Sequence, residues 1–380
     1  MPEPTLSPQD LSAMRQALEL ATQAIGLTDP NPRVGCVILD AQGRLLGQGH
    51  TQAAGQAHAE VMALRDAHGR GADLRGATAY VTLEPCAHHG RTPPCCDALI
   101  AAGLARVVVA LGDPNPQVGG QGLARMRAAG IETELLAPAH ELARESRELN
   151  IGFLTRMQRG RPFVRLKIAA SLDGRTALPN GVSQWITGAE ARRDGHAWRR
   201  RAAAVLTGIG TARDDDPRLD VREVPTARQP QRVLLDSALR LSAQARLLQA
   251  PGSLWIFHGL DDAQASRRGA ALRQHGAELI ARPGPAGRVD LGAVLDELGR
   301  RGINELHVEA GQTLNGALLD AGLVDELLLY LAPVLLGEGR AMARLGPWTS
   351  LDQALRWERV DCSPLGADLR LRLRPAAASR

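Results

Sequence analysis

Residues 58–61 read His58-Ala59-Glu60-Val61, and residues 78–96 read Thr78-Ala79-Tyr80-Val81-Thr82-Leu83-Glu84-Pro85-Cys86-Ala87-His88-His89-Gly90-Arg91-Thr92-Pro93-Pro94-Cys95-Cys96. Thr78 to Leu83 is an apolar run that predicts a strand stopped by Pro85. Pro94 to Ala102 predicts a helix with proline at its start, and Ala59 to Ala67 an apolar helix opened by the histidine. One imidazole, one carboxylate and two thiols therefore sit where these elements begin or end.

Imidazole nitrogen and thiolate sulfur satisfy zinc, and a catalytic zinc keeps one of four positions for water. His58, Cys86 and Cys95 are the candidate ligands. Both cysteines are read at helix N-termini, where the dipole favours thiolate. Glu60, two residues past the histidine, is read as a proton carrier and not as a ligand. The order H-x-E…P-C…C is that of zinc nucleobase deaminases, whose common form has two residues between the cysteines. Here residues 87–94 intervene, and they predict a basic, hydrogen-bonding loop beside the metal. Two blander readings compete: cysteines packed as buried apolar residues, or a structural zinc on Cys86, His89, Cys95 and Cys96. The order, the separation and Glu60 favour the catalytic reading. Cys96, adjoining Cys95 on a helix, and Cys36, in a strand, are read as packing.

A length of 380 residues fits about two domains. Hydrophobic residues at 44% and charged residues at 23% exclude disorder as the main state. The polar start, Met1-Pro2-Glu3-Pro4-Thr5, shows no secretory pattern, and the run Glu326 to Ala332 is too short to cross a bilayer. The expectation is a soluble, cytoplasmic chain with no membrane partner. Five cysteines, an odd number, then point to metal or catalysis before disulfides. The net charge is +4 and the pI near 9.1. Lys167 is the single lysine, so the arginines reflect composition bias more than a nucleic-acid surface. Aromatics at 3% are too few for a base-stacking platform, and no nucleic-acid partner is expected. The densest basic stretch, Arg192, Arg193, Arg199, Arg200 and Arg201, reads as a solvated helix face or as a site for a small anion.

Alternation of strands and helices organises the whole chain. Ser7 and Pro8 mark a helix start, with Leu11, Met14, Leu18 and Ala21 on one face. Asp29-Pro30-Asn31-Pro32 is a loop, Val34 to Leu39 a strand, and Val107 to Leu111 another. This predicts an α/β layer domain over about 150 residues. A polar helical stretch, Ala139 to Arg159, places the boundary near Arg159-Gly160-Arg161-Pro162. Beyond it, strands are expected at Phe163–Ala169, Ala204–Gly208, Arg232–Asp236, Leu254–His258, Leu306–Glu309 and Glu326–Ala332, in a largely parallel sheet.

The second half lacks a G-x-G-x-x-G fingerprint. Val308-Glu309-Ala310-Gly311-Gln312-Thr313-Leu314-Asn315-Gly316-Ala317-Leu318 ends a strand and enters a helix through small residues, which offers backbone N–H groups to a phosphate. A plain strand–helix turn reads the same way. Asp214-Asp215-Asp216-Pro217, flanked by Arg213 and Arg218, reads as a charged turn. Lys167 inside an apolar strand is either a chance survivor or a primary amine that the site needs.

Taken together, His58-Ala59-Glu60-Val61 with Thr82 to Cys95, and then Ser171-Leu172-Asp173-Gly174-Arg175-Thr176, Ser183-Gln184-Trp185-Ile186-Thr187, Asp215-Asp216-Pro217 and Val308-Glu309-Ala310-Gly311, closely resemble the bifunctional deaminase/reductase family of riboflavin biosynthesis. The resemblance spans nearly the whole chain. It implies a cytidine-deaminase-like three-layer domain over residues 1–155, then a dihydrofolate-reductase-like α/β domain over residues 160–380. It implies zinc-dependent hydrolytic deamination of 2,5-diamino-6-ribosylamino-4(3H)-pyrimidinone 5′-phosphate, then NADPH-dependent reduction of its ribosyl group. The family's zinc ligands fall on His58, Cys86 and Cys95, and its proton-shuttling carboxylate on Glu60. Its NADPH contacts fall on Ala169, Trp185, Thr211, Asp215, Ser237 and the turn Gly311, Gln312, Thr313, Leu314, Asn315, Gly316 and Ala317. Its substrate contacts fall on Ser183, Arg199, Leu219, Arg222 and Glu309, where a guanidinium fork suits a phosphate. A homo-oligomer is implied as well. A nucleic-acid deaminase with an appended binding domain would share the zinc residues but should carry a basic stripe and stacking aromatics. A zinc-stabilised interaction protein would have no use for Glu60.

Overall fold

A computed structural model of the chain describes residues 6–87, 94–114 and 119–376. The chain divides into two compact units, Met1–Gly160 and Arg161–Arg380. Among the described residues, no helix is long and apolar enough to cross a membrane.

In the first unit, α1 (Pro8–Thr22) starts on a reciprocal cap: Asp10 N–H donates to the Ser7 hydroxyl, and Ser7 N–H donates to the Asp10 carboxylate. There follow β1 (Gly35–Leu39), β2 (Leu45–His50), α2 (Ala59–Gly69), β3 (Thr78–Val81), α3 (Cys95–Ala101), β4 (Arg106–Val109), α4 (Gln121–Ala128), β5 (Glu132–Leu135), α5 (Glu141–Leu149) and α6 (Ile151–Arg159). The sheet runs β2-β1-β3-β4-β5, parallel from β3 to β5. Strand alternation sorts the side chains into two cores. Ile38, Val81 and Val107 pack with Ala63 and Leu99 on one face, while Val37, Tyr80 and Val108 pack with Met14, Leu18 and Leu142 on the other. Both faces being covered, the central strands are apolar throughout, which is why they were legible as runs.

Two departures from the sequence reading have a clear physical cause. The strand β2 was not anticipated, because Gly47 and Gly49 break its apolar pattern. Those glycines let α2 lie directly on the strand: a Cβ at Gly47 would come 2.3 Å from the Ala63 carbonyl oxygen, and one at Gly49 would come 2.5 Å from Met62 Cβ. The stretch expected as one helix from Ala139 is instead two, broken at Asn150. That side chain accepts from Arg33 N–H at 2.7 Å and donates to the Arg33 carbonyl at 2.9 Å, so it serves the distant loop.

The second unit contains β6 (Phe163–Ser171), β7 (Arg175–Ala177), α7 (Ala189–Arg201), β8 (Ala204–Gly208), α8 (Ile209–Asp215), β9 (Gln231–Leu235), α9 (Arg246–Gln249), β10 (Leu254–His258), α10 (Asp262–Gln274), β11 (Ala277–Ala281), α11 (Leu291–Arg300), β12 (Glu305–Glu309), α12 (Gln312–Asp320), β13 (Glu326–Ala332), β14 (Arg340–Ala341), β15 (Trp357–Leu365) and β16 (Asp368–Pro375). Among the described residues the main sheet runs β11-β10-β9-β8-β12-β6-β13-β16-β15. It is parallel from β11 to β13, and only β16 and β15 run antiparallel. The final hairpin was missed although Leu369-Arg370-Leu371-Arg372-Leu373-Arg374 alternates with a period of two. Its arginines are not a solvated face: Arg372 and Arg374 reach Glu326 at 2.8 and 3.0 Å, and Arg370 reaches Asp194 at 3.0 Å.

These contacts extend a buried ionic cluster around Arg165, whose side chain is 1% exposed. Its Nη1 donates to Glu305 at 2.7 Å and its Nε to Glu326 at 2.6 Å, and the guanidinium lies 4.3 Å from the Trp198 ring centroid. Burial alone would raise the Glu326 carboxyl; the Arg165 and Arg372 charges outweigh it and bring it down to about 2. Arg165→Ala leaves two carboxylates buried and is expected to cost about 3–5 kcal/mol, read as a lower denaturant midpoint for this unit. The folded value of Glu326 is depressed, so its contribution is complete above the ordinary carboxyl value and is lost as pH falls towards 2. Wild-type protein should therefore show an acid limb over that range that Arg165→Ala flattens.

Candidate active sites

His58 precedes α2 as its cap residue, with extended backbone (φ −77°, ψ 168°) and no side-chain cap bond. Its imidazole turns to the sulfurs instead: Nδ1 is 3.2 Å from Cys95 Sγ and 3.8 Å from Cys86 Sγ. Ligand atoms of His58, Cys86 and Cys95 all lie within 4.8 Å of one another. Cys95 opens α3, as expected, but Cys86 lies in the non-helical segment after β3, which corrects its expected placement at a helix start. The α3 N-terminus reaches it nonetheless, because Cys95 N–H donates to Cys86 Sγ at 3.4 Å. Hydrogen bonding from the Cys95 side chain, and then from His58, holds the Cys86 thiol down at about 4 against its burial. Cys95, donating to Cys86 and buried, is pushed up. One imidazole and two converging sulfurs, one of them readily ionised, fit zinc with a position left for water.

Glu60 lies two residues into this region, on the first turn of α2, and is 4% exposed. Burial, and then the Cys86 thiolate, push its carboxyl up to about 7, near the pH where a proton carrier works in both directions. Cys96 packs in the core with Leu99, and Cys36 is buried in β1. The loop of His88 to Pro93, with the alternative ligand His89, lies outside the described residues. Sequence reading passed over Glu84. Its buried carboxylate accepts from four backbone N–H groups, those of Asp113, Gly120, Gly122 and Leu123, at 3.0–3.3 Å. It thereby pins the chain that enters α4 beside the Pro85-Cys86 segment.

In the second unit a cavity of about 730 Å³ opens where the parallel strands end. Ala169, Ser183, Trp185, Thr211, Asp215, Ser237, Glu309, Gly311, Gln312, Thr313, Leu314 and Ala317 all line it. Gly311 gives α12 no side-chain cap, so the first N–H groups of that helix are available to an anion. Trp185 is 65% exposed, and its ring lies 4.5 Å from the Arg192 guanidinium. Burial pushes the Asp215 carboxyl up, while the Ser183 hydroxyl donates to it at 3.3 Å.

Five expected contacts lie off the cavity wall. Asn315 turns inward and donates to the Met342 carbonyl at 2.7 Å. Gly316 is needed for packing, since a Cβ there would come 2.1 Å from the Arg344 carbonyl oxygen. Leu219 is buried, in left-handed backbone at φ +55°. Arg222 donates to Asp220 at 2.9 Å. Arg199 forks onto Glu309, Nε to Oε1 at 2.5 Å and Nη2 to Oε2 at 2.9 Å. Despite burial, the Arg199 charge holds Glu309 well below the ordinary carboxyl value. Lys167, whose role was open, also lines the cavity, with Nζ 3.9 Å from Glu309. Burial pushes its ammonium down, and Glu309 opposes that.

Comparison with known proteins agrees with both halves. Residues 7–111 match the cytidine and deoxycytidylate deaminase zinc-binding region, and residues 162–371 match the RibD C-terminal domain. The riboflavin biosynthesis protein RibD of Escherichia coli is 45% identical over 96% of this chain and 99% of its own. That of Aquifex aeolicus is 39% identical over 95% and 97%. Among solved structures, Acinetobacter baumannii RibD superposes with a TM-score of 0.86 at 42% identity, covering 97% of this chain and 99% of its own. A Thermotoga maritima protein described as a diaminohydroxyphosphoribosylaminopyrimidine deaminase/5-amino-6-(5-phosphoribosylamino)uracil reductase superposes at 0.85 with 32% identity, over 97% and 99%. With a zinc-type deaminase site in one unit, a ligand cavity in the other and full-length similarity across both, this chain belongs to the RibD family of riboflavin biosynthesis.

Proposed function

We propose that the chain carries out two consecutive reactions on one phosphorylated pyrimidine. The first unit hydrolyses the 2-amino group of 2,5-diamino-6-ribosylamino-4(3H)-pyrimidinone 5′-phosphate. The second uses NADPH to reduce the ribosyl group, giving 5-amino-6-(5-phosphoribitylamino)uracil. Assembly into a homo-oligomer is part of the same proposal. The convergence of His58, Cys86 and Cys95 beside a buried Glu60 carries the reading. A nucleic-acid deaminase would share that site, but the match of residues 162–371 makes the second unit a reductase domain and not a nucleic-acid module.

His58, Cys86 and Cys95 would hold zinc, which would supply the Lewis acidity that makes a water nucleophilic near neutral pH. Glu60 takes the proton released as the water oxygen bonds to the pyrimidine C2. It hands that proton to the departing nitrogen as the C2–N bond breaks, so ammonia leaves and the carboxylate ends as it began. In the second unit Ala169, Thr211, Asp215 and the turn that begins at Gly311 would hold the nicotinamide cofactor, which would supply a hydride for C1′ of the sugar. The C1′–O4′ bond breaks and O4′ takes a proton. Lys167 is the donor this reading assigns, since desolvation of its half-buried ammonium makes it release a proton more readily than an exposed one. Glu309, held in place by the Arg199 fork, accepts from sugar hydroxyls. Arg222, 46% exposed, is the residue this reading gives the 5′-phosphate, and Ser183 and Leu219 are its remaining substrate contacts.

Mass spectrometry of products from zinc-loaded protein tests the whole reading: deamination should occur without cofactor and reduction only with NADPH. Folded, zinc-bound protein that changes nothing would overturn it. Glu60→Gln should keep its zinc while deamination falls by roughly 10²–10⁴-fold, whereas Cys95→Ser should lose zinc in a metal assay. Lys167→Arg keeps the charge but holds its proton, so reduction should fall about 10²-fold or more with deamination untouched.

A further inference from the structure

Leu219 and Arg222 stand between α8 and β9, on chain that is neither helix nor strand. The bonds of a helix or sheet do not fix this backbone, so side chains do. Gln229 holds Val221 on both sides, accepting from its N–H at 2.7 Å and donating to its carbonyl at 2.9 Å. Arg199 Nη1 donates to the Asp220 carbonyl at 3.0 Å, while its other nitrogens fork onto Glu309 on the cavity wall. The Arg222 N–H donates to His196 Nδ1 at 3.3 Å. His196 and Arg199 are three residues apart on α7, so one helix face carries both anchors.

A ring nitrogen that accepts carries no proton, so the neutral imidazole of His196 holds its proton on Nε2. That nitrogen stands 3.5 Å from Glu223 Oε1, on the residue after Arg222. One ring therefore engages two consecutive residues, a backbone donor through Nδ1 and a carboxylate through Nε2. His196 is 4% exposed. Burial, and then the charges of Arg199 and Arg222, push its imidazolium down to about 4, with Glu223 and Glu309 opposing. The ring is thus an uncharged acceptor at neutral pH, as the bond from Arg222 requires. From this anchored backbone the Arg222 guanidinium turns to Asp220, with Nη1 at 2.9 Å from Oδ1. Neither the hydride step nor the proton step assigned above uses His196.

We propose that His196 is a positioning residue for the reduction: its neutral imidazole fixes the Arg222 backbone, and so where the guanidinium meets the 5′-phosphate of the sugar. This rests on the assignment of Arg222 to that phosphate. His196 acts through Arg222, so it governs substrate binding and not the hydride step.

The test uses full-length, zinc-loaded protein, with steady-state reduction and calorimetry of ribose 5-phosphate binding. His196→Phe keeps a ring that accepts nothing. His196→Gln places its amide near the Nε2 position, towards Glu223, and His196→Asn places an amide oxygen near the Nδ1 position, towards the Arg222 N–H. His196→Phe and His196→Gln should each raise the KM for the sugar substrate and the Kd for ribose 5-phosphate about tenfold. The kcat, the KM for NADPH and deamination should stay unchanged. His196→Asn should bring both constants back to within about threefold of wild type. If His196→Phe does not fold, the contrast between His196→Asn and His196→Gln carries the test. Equal substrate KM values in wild type and all variants would overturn the proposal. So would a fall in kcat or a raised NADPH KM that His196→Asn does not restore, the mark of a residue that only packs. Arg222→Gln separates the two assignments. If it leaves the substrate KM unchanged, the phosphate reading of Arg222 falls and this proposal with it. If it raises that KM while His196→Phe and His196→Gln do not, this proposal alone falls. Proteins that rank ribose 5-phosphate binding in the expected order but reduce nothing would leave the role of His196 standing and overturn the reductase reading.

Discussion

Arg165 has no route to water. Its guanidinium is shared between Glu305 on β12 and Glu326 on β13, and Trp198 covers its face. A buried charge of this kind is tolerated only when each partner is present with good geometry. The cluster therefore dictates register across β12, β6 and β13. In the β6–β12 pairing Arg165 stands opposite His307 and Lys167 opposite Glu309. Lys167 and Glu309 lie two residues further along the strands that hold Arg165 and His307, hence on the same face. A slip of one residue would turn every one of these side chains to the other side. The pairing that satisfies Arg165 is thus the pairing that puts the amine beside the carboxylate at the cavity.

Close approach plays the corresponding part in the first unit. Gly47 and Gly49 let α2 rest on the backbone of β2, and that seating carries His58 and Glu60 at the start of the helix. Glu84 gathers four backbone N–H groups from the chain entering α4 and fixes the Pro85-Cys86 segment from the other side. The metal ligands themselves contribute little to this placement. They are delivered by a helix start, a strand end and a second helix start, each held by packing that involves no ligand.

Both sites sit where strands give way to helices, and for one electrostatic reason. A helix start presents unpaired N–H groups and the positive end of the dipole. In the first unit that end faces Cys86 and stabilises the thiolate; in the second, α12 offers it to an anion. Arg199 illustrates how a charged residue changes meaning once folded. From sequence it belongs to a basic run on a helix and, through the resemblance, to the substrate contacts; in the structure it is the clamp on Glu309.

Much of this is legible in the sequence. The His58, Glu60, Cys86 and Cys95 pattern, the Ser7 cap of α1 and the apolar strands of both units are local signals, written in spacing, capping chemistry and period. So was the oddity of a single lysine within a strand. Other features were beyond such reading. These include the break at Asn150, the strand β2 behind its glycines, the non-helical setting of Cys86 and the inward turn of Asn315. Each depends on a group far away in the chain, such as Arg33 for Asn150 or Glu309 for Arg199. Spacing and period act over a few residues, so the sequence by itself determined which chemistry the chain carries and on which elements. Register, close approach and the pairing of buried charges act across the fold, and only the tertiary structure decided which side chains meet.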